Sequence, residues 1–177
     1  MTKDEWVRLI LNNAEEFNNQ KAAFNDAVDL SETEFSGAEI KDVNLSDIDF
    51  TGSNFAECNI VNVNFSSADL TGTDFARAHI AECDFSHAIL NGADMSYSTV
   101  HFCNFTDTDM SGSVLNEADL SDSDFSASEN LSACRFDDGT VWPDSDKLPE
   151  EFDSTYSYDL SSLKDEEDEV ESPDFGY

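Results

Sequence analysis

Residues 66–85 read SSADLTGTDFARAHIAECDF, and Leu70, Phe75, Ile80 and Phe85 place an apolar side chain at every fifth position. An amphipathic helix repeats at 3.6 residues and a half-buried strand at 2, so a period of five is neither. Followed in both directions, the phase runs unbroken from Leu30 to Phe125. It passes through Phe35, Ile40, Leu45, Phe50, Phe55, Ile60 and Phe65, then Leu90, Met95, Val100, Phe105, Met110, Leu115 and Leu120. All of these centre positions are apolar. Two residues before each centre stands something small or β-branched, such as Ala38, Ala68, Ala78, Ala88 or Ala118, with Ile48 the largest. Charged residues make up 27% of the chain, yet none occupies either set. The residue just before the centre is usually acidic or Asn, as at Asp69, Asp74, Asp84, Asp94, Asn104 and Asp109. The residue after it is often Ser or Thr.

A fixed internal period takes precedence over local propensity. The grammar A-(D/N)-(L/F)-(S/T)-x, legible in SADLTGTDF and NGADMSYSTV, resembles the signature of the pentapeptide-repeat family over residues 27–136. The resemblance implies an all-β fold, a right-handed parallel β-helix of square cross-section. Four pentapeptides make one coil of about 20 residues, with centre and small residues inside. A single coil buries little on its own, so stability comes from stacking. The centres then form internal columns, such as Leu45, Phe65, Phe85, Phe105 and Phe125; Phe35, Phe55 and Phe75 begin another. Gly52, Gly72, Gly92 and Gly112 also recur one coil apart. They are expected at one corner, where a side chain would crowd the turn.

Both ends of such a rod need covers. Residues 1–26 are expected to form one capping helix. Thr2 and Glu5 have the spacing of a capping box, and Trp6, Leu9, Ile10, Ala14 and Phe17 follow helical spacing. The phase slips after Phe125, resuming one residue late at Leu131 and Phe136, and the regular helix is expected to end there. The segment DDGTVWP resembles the closing segment of family members, with Val141 and Trp142 covering the last coil. The β-helix with its cap is therefore placed at residues 27–143. Residues 144–177, ending KDEEDEVESPDFGY, read as a disordered acidic tail. Within it, Tyr156, Tyr158, Leu160 and Leu163 are candidates for a linear docking motif or dimer contact.

Catalytic chemistry is not in evidence. Cys58, Cys83, Cys103 and Cys134 fall on inward small-residue positions and read as core fillers. Cys83 and Cys103 lie one coil apart, close enough for a disulfide, but a reducing compartment disfavours one. His79, His87 and His101 fall outward, with His87 stacked on Asp107. No phosphate loop, zinc-ligand spacing or nucleophile elbow is present, so a non-enzyme without a cofactor or metal is expected. The N-terminus has no basic stretch followed by an apolar core and cleavage site, and no long apolar run exists. A cytoplasmic protein with no membrane partner, monomeric or homodimeric, is expected.

Charge is the outlier: 40 acidic residues against 8 basic, a net of −32. Phosphates would repel such a chain, which excludes direct nucleic-acid binding and favours partners with basic surfaces. Residues 27–136 carry a net of −17. Over a rod ~26 Å long this is about one charge per ~1.5 Å, against ~1.7 Å for duplex DNA. Asp29, Asp49, Asp69, Asp109 and Glu129 are expected to form a near-continuous acidic column broken at Ile89, with Asp74 and Asp94 one side away. These seven carboxylates are candidates for partner binding. The resemblance extends to a quinolone-resistance branch that mimics DNA in the saddle of DNA gyrase, which implies gyrase or another DNA-binding protein as partner. The alternatives are a scaffold or adaptor for a partner that binds no DNA, and adaptation to salt. Tyr97 and Phe102 are outward by phase and are candidate contact residues for an adaptor.

Overall fold

The chain advances by one coil every twenty residues, and the backbone pairing registers this without drift. In the computed structural model, which describes residues 1–24 and 26–155, Ile40, Ile60, Ile80 and Val100 are successive partners in a parallel sheet. Its strands are β1 (Glu39–Lys41), β2 (Asn59–Val61), β3 (His79–Ala81) and β4 (Thr99–His101), in that order. The other three sides of the square are held by single parallel bridges, again twenty residues apart, such as Asp49 with Asp69 and Asp84 with Asn104. The side with regular strands is the one whose first four centres, Ile40, Ile60, Ile80 and Val100, are β-branched, the residue type that favours extended backbone; at Leu120 it continues only as a bridge.

All twenty centres from Leu30 to Phe125 are buried. The expected phenylalanine column is present. Phe65, Phe85, Phe105 and Phe125 stack with ring centroids 5.0, 5.1 and 4.3 Å apart, and Phe35, Phe55 and Phe75 do the same at 4.7 and 5.0 Å. The small positions are buried too, apart from Ala38, which is half-buried. Their hydroxyls are satisfied by backbone carbonyls: Ser53 donates to Leu30 O at 2.8 Å and Thr108 to Phe85 O at 2.7 Å. A Ser or Thr can therefore replace Ala inside without leaving a bare polar group.

The corners differ from expectation in their cause. Every fifth residue from Glu32 to Glu117 has φ between +51° and +69°, glycine or not. On most sides the centre carbonyl accepts the N–H three residues on, as from Ser53 to Phe50 (2.9 Å) and from Ala88 to Phe85 (3.0 Å). Positive φ at the third residue is the type II turn. A Cβ at Gly72 or Gly92 would meet nothing within 4 Å, and at Gly52 or Gly112 only an atom at 3.9 Å. Crowding is thus not why glycine stands there; the left-handed backbone is.

Residues 1–24 form two helices rather than one. α1 (Lys3–Asn12) starts with the expected Thr2–Glu5 capping box. It stops at Asn13, whose side chain accepts the Glu16 N–H at 3.1 Å and starts α2 (Ala14–Ala23). Apolar spacing continues across the break, but Asn at this point favours a helix start. Trp6, Ile10 and Phe17 are buried over the first coil. The cap also satisfies backbone groups that have no coil above them. Asn18 Oδ1 accepts the Asn44 N–H at 2.8 Å, and Lys3 Nζ donates to Ser31 O at 2.6 Å.

At the far end, the slipped residue is absorbed at Asn130, which has φ +58° and precedes a 3-10 turn, Leu131–Ala133. Pairing then resumes, with Val114 opposite Arg135 and Asp119 opposite Val141, so the coil continues past the expected end. Val141 belongs to this ladder and is 49% exposed, and so does not cover the core. Trp142 does, packing against Phe125, Phe136 and Phe152. The cap also extends beyond residue 143. A second 3-10 turn (Ser145–Lys147) brings Lys147 O to the Phe125 N–H at 2.8 Å, and Leu148 and Phe152 pack on the core. The tail boundary at 144 is therefore too early. The candidate motif Tyr156, Tyr158, Leu160 and Leu163 lies outside the described residues.

Candidate interaction surface

Each side of the square presents two outward residues per coil, one before and one after the centre. The residue before the centre has a structural duty. Its side-chain oxygen accepts the backbone N–H two residues on: Asp49 from Thr51 (2.8 Å), Asp69 from Thr71 (3.0 Å), Asp74 from Ala76 (2.8 Å), Asp94 from Ser96 (2.9 Å) and Asp109 from Ser111 (3.0 Å). Asn does the same at Asn44, Asn54, Asn64 and Asn104. This is the Asx turn, and it explains why the repeat alternates Asp with Asn. The choice of Asp over Asn is then free to set surface charge.

That choice is uneven around the rod. On the Leu30 side the ladder runs Asp29, Asp49, Asp69, Ile89, Asp109, Glu129, the column expected from the spacing. Ile89 is exposed and interrupts it. On the next side the ladder runs Glu34, Asn54, Asp74, Asp94, Val114, Arg135, so the Asp74–Asp94 pair is flanked by neutral residues. Within the column Asp29 has a cation, Lys3 Nζ at 3.4 Å, and Asp109 accepts a hydrogen bond from Asn130 at 2.9 Å. The Ser31 and Ser111 hydroxyls lower the pKa values of Asp29 and Asp109 respectively.

These bonds favour the charged carboxylate, so their contribution is present above the unfolded Asp pKa of about 3.9 and is lost as pH falls through the lower folded value. Asp109→Asn keeps an acceptor for Ser111 but does not titrate. Its urea midpoint is expected to fall less than that of the parent chain between pH 5 and pH 2. Parallel curves would contradict this role for Asp109.

The Ile40 side lies ten residues, half a coil, from the acidic column and so faces the opposite way. Across β2–β4 its outward residues are Asn59, Val61, His79, Ala81, Thr99 and His101, with no carboxylate among them. Tyr97 and Phe102 stand at its two corners, 56% and 65% exposed. Arg77 stacks on Tyr97, with its guanidinium carbon 5.2 Å from the ring centroid. His101 Nε2 lies 3.4 Å from Asp119, and His87 Nδ1 lies 3.5 Å from Asp107, the stacking expected for His87. The uncharged side escapes a reading that follows acidic residues alone. The i to i+20 comparison of neutral residues would have found it.

The four cysteines are all buried and free. Burial raises the Cys58 and Cys134 thiols to about 11, and the Cys83 thiol together with burial raises Cys103. Thiols held neutral in this way are packing groups. Among the described residues no group of three or more His, Cys, Asp or Glu is placed to hold a metal ion. None of the helices there is long and apolar enough to cross a membrane.

Comparison with known proteins agrees with this geometry. A pentapeptide repeat region model matches residues 18–95, and a model of eight pentapeptide repeats matches residues 101–138. The chain belongs to the pentapeptide-repeat family, and its fold is the right-handed quadrilateral β-helix. A pentapeptide repeat protein of the Arabidopsis thaliana thylakoid lumen is 27% identical with a TM-score of 0.52, over 54% of this chain and 66% of that one, just short of two thirds of its length. A pentapeptide repeat protein of Nostoc PCC 7120 is 23% identical with a TM-score of 0.33, over 73% and 93% of the two chains. A plasmid-mediated fluoroquinolone resistance protein is 19% identical with a TM-score of 0.27, over 61% and 74%. The last two likenesses are too loose to bear on function. No curated protein matches the chain.

Proposed function

We propose that this protein is a non-catalytic binding module of the cytoplasm that occupies the basic, DNA-binding surface of a partner protein, DNA gyrase or another, by imitating the charge of a duplex. The observation that carries the reading is the column Asp29, Asp49, Asp69, Asp109 and Glu129, set at the coil repeat of ~4.8 Å on a rigid ladder. Stacked like charges destabilise the free rod, and a basic groove relieves that cost. The turn bonds hold Asp49, Asp69 and Asp109 in fixed orientations, so little side-chain entropy is lost on docking. Asp74 and Asp94 widen the acidic surface to the neighbouring side.

The test is capture on the immobilised protein, followed by competition. The captured partner is expected to be a DNA-binding protein, released by salt and displaced by duplex DNA. The variant Asp49→Asn/Asp69→Asn/Asp109→Asn keeps the turn acceptors and is expected to capture it poorly. A partner that DNA does not displace and that the variant holds equally well would overturn the reading.

A further inference from the structure

The side of the rod opposite the acidic column carries features that neither folding nor charge mimicry requires. Tyr97 and Phe102 both sit at left-handed corners, with φ of +58° and +57°. An L side chain is disfavoured there, and Gly, Asn or Asp is the easy choice. In the same columns the repeat has Gly37, Asp42 and Asn62 and, at other coils, the long charged chains Glu57, Arg77 and Glu82; Tyr97 and Phe102 are the aromatic residues among them. Both rings are also more than half exposed and so contribute little burial. Among the described residues their only ring contacts are at the surface, Arg77 over Tyr97 and His101 edge-on to Phe102 at 6.2 Å, so neither ring packs into the rod. The two flank the same sheet in the same coil.

Between them lies the neutral surface of β2–β4, made of Val61, Ala81 and Thr99 with His79 and His101. On a chain of net charge −32, three successive coils here present no carboxylate beside their centres. Its border is mainly acidic: Glu57, Glu82, Glu117, Asp119 and Asp122 surround it at the corners and at the next coil, with Arg77 the cation among them, stacked on Tyr97. A largely uncharged centre with two exposed aromatic corners and a charged rim suits a protein partner, and aromatic anchors are the commonest energetic centres of such surfaces.

We infer that the Ile40 side is a second docking surface, for a protein segment with an aliphatic or aromatic centre flanked by Lys or Arg. Charge complementarity selects that partner. The carboxylate rim repels a second copy of this acidic chain and attracts a basic flank. The partner's apolar side chains seat between Tyr97 and Phe102, and its cations meet the rim. This surface lies half a coil from the acidic column, so it does not compete with the proposed groove-binding side. The rod can then hold two partners back to back.

The probe is a peptide of sequence KKLWLKK, compared with a lysine-only peptide of equal length, by amide NMR titration at low and at high salt. The apolar peptide is expected to shift Tyr97, Phe102 and the β3–β4 amides and to lose only part of its affinity in high salt, since salt screens its lysines but not its apolar contacts. The lysine-only peptide is expected to act at the acidic column and to be lost in salt. Tyr97→Asn/Phe102→Asn should lower affinity for the apolar peptide at least tenfold, with a urea midpoint equal to or above the parent's. Asp49→Asn/Asp69→Asn/Asp109→Asn should leave that affinity unchanged while weakening capture by the first surface, so the two readings fail separately. Shifts confined to the acidic column, or full affinity in the aromatic double variant, would overturn the inference. So would a concentration-dependent dimer, by sedimentation, that the double variant abolishes, since it would assign the surface to a second copy.

Discussion

Phe85→Ala is expected to lower the free energy of unfolding by about 3–5 kcal/mol, the upper range for truncation of a buried side chain. The ring is stacked between Phe65 at 5.0 Å and Phe105 at 5.1 Å and meets Phe75 edge-on at 6.3 Å. Coils above and below are tied by ladder bonds on both sides, such as Phe85 N–H to Asn104 O at 2.9 Å and Asp84 N–H to Val63 O at 3.1 Å. The neighbours therefore cannot collapse into the space, and the cost includes the cavity as well as lost transfer energy. Urea unfolding of the variant reads this directly. Phe102→Ala, the same change at an exposed corner, serves as its control and is expected within about 0.5 kcal/mol of the parent. A loss under about 1 kcal/mol at Phe85 would mean that the column does not carry the fold.

The second large effect lies at the N-terminal cover. Phe17 is fully buried and packs against Trp6 with ring centroids 5.3 Å apart, and Trp6 in turn meets Phe24 at 5.4 Å. Phe17→Ala is expected to cost about 3–5 kcal/mol. It should also weaken the hold of α2 on the first coil, where Asn18 takes the Asn44 N–H and Lys21 donates to Ser46 at 3.0 Å. Hydrogen exchange separates the two consequences. The Asn44 amide should lose protection first, with the Asn104 amide following only at global unfolding. Equal loss at both amides would show that the cover and the mid-rod coils open together, against the nearest-neighbour account of a stacked repeat.

Most of the rod was legible because its period equals its geometry. Once the centres fall every five residues and four make a coil, any residue stacks on the one twenty places on, and the acidic column follows by counting. The slip at Asn130 was legible for the same reason, as a break in phase. What escaped lies where local chemistry overrides the count. The apolar stripe of residues 6–17 runs through Asn13 without a gap, so only the side-chain capping of Glu16 reveals the break. The glycine corners look like a steric need, yet thirteen other corners hold the same backbone with side chains. Phe152 closes the last coil from within a stretch whose acidity reads as tail. The position of the carboxylates could be read from sequence; their hydrogen bonds to the backbone, and hence their fixed orientation, could not.

The central claim is that the acidic column meets its partner as a duplex would. Its most direct measurement is the affinity of the captured DNA-binding protein for this protein, titrated from about 50 to about 500 mM salt, where screening tightens from beyond 10 Å toward about 4 Å. The same titration is run on Asp49→Asn/Asp69→Asn/Asp109→Asn. Affinity for the parent chain is expected to fall steeply and continuously with salt, and that for the variant to be lower and less dependent on salt. An affinity flat across the range and equal in the two proteins would contradict the claim.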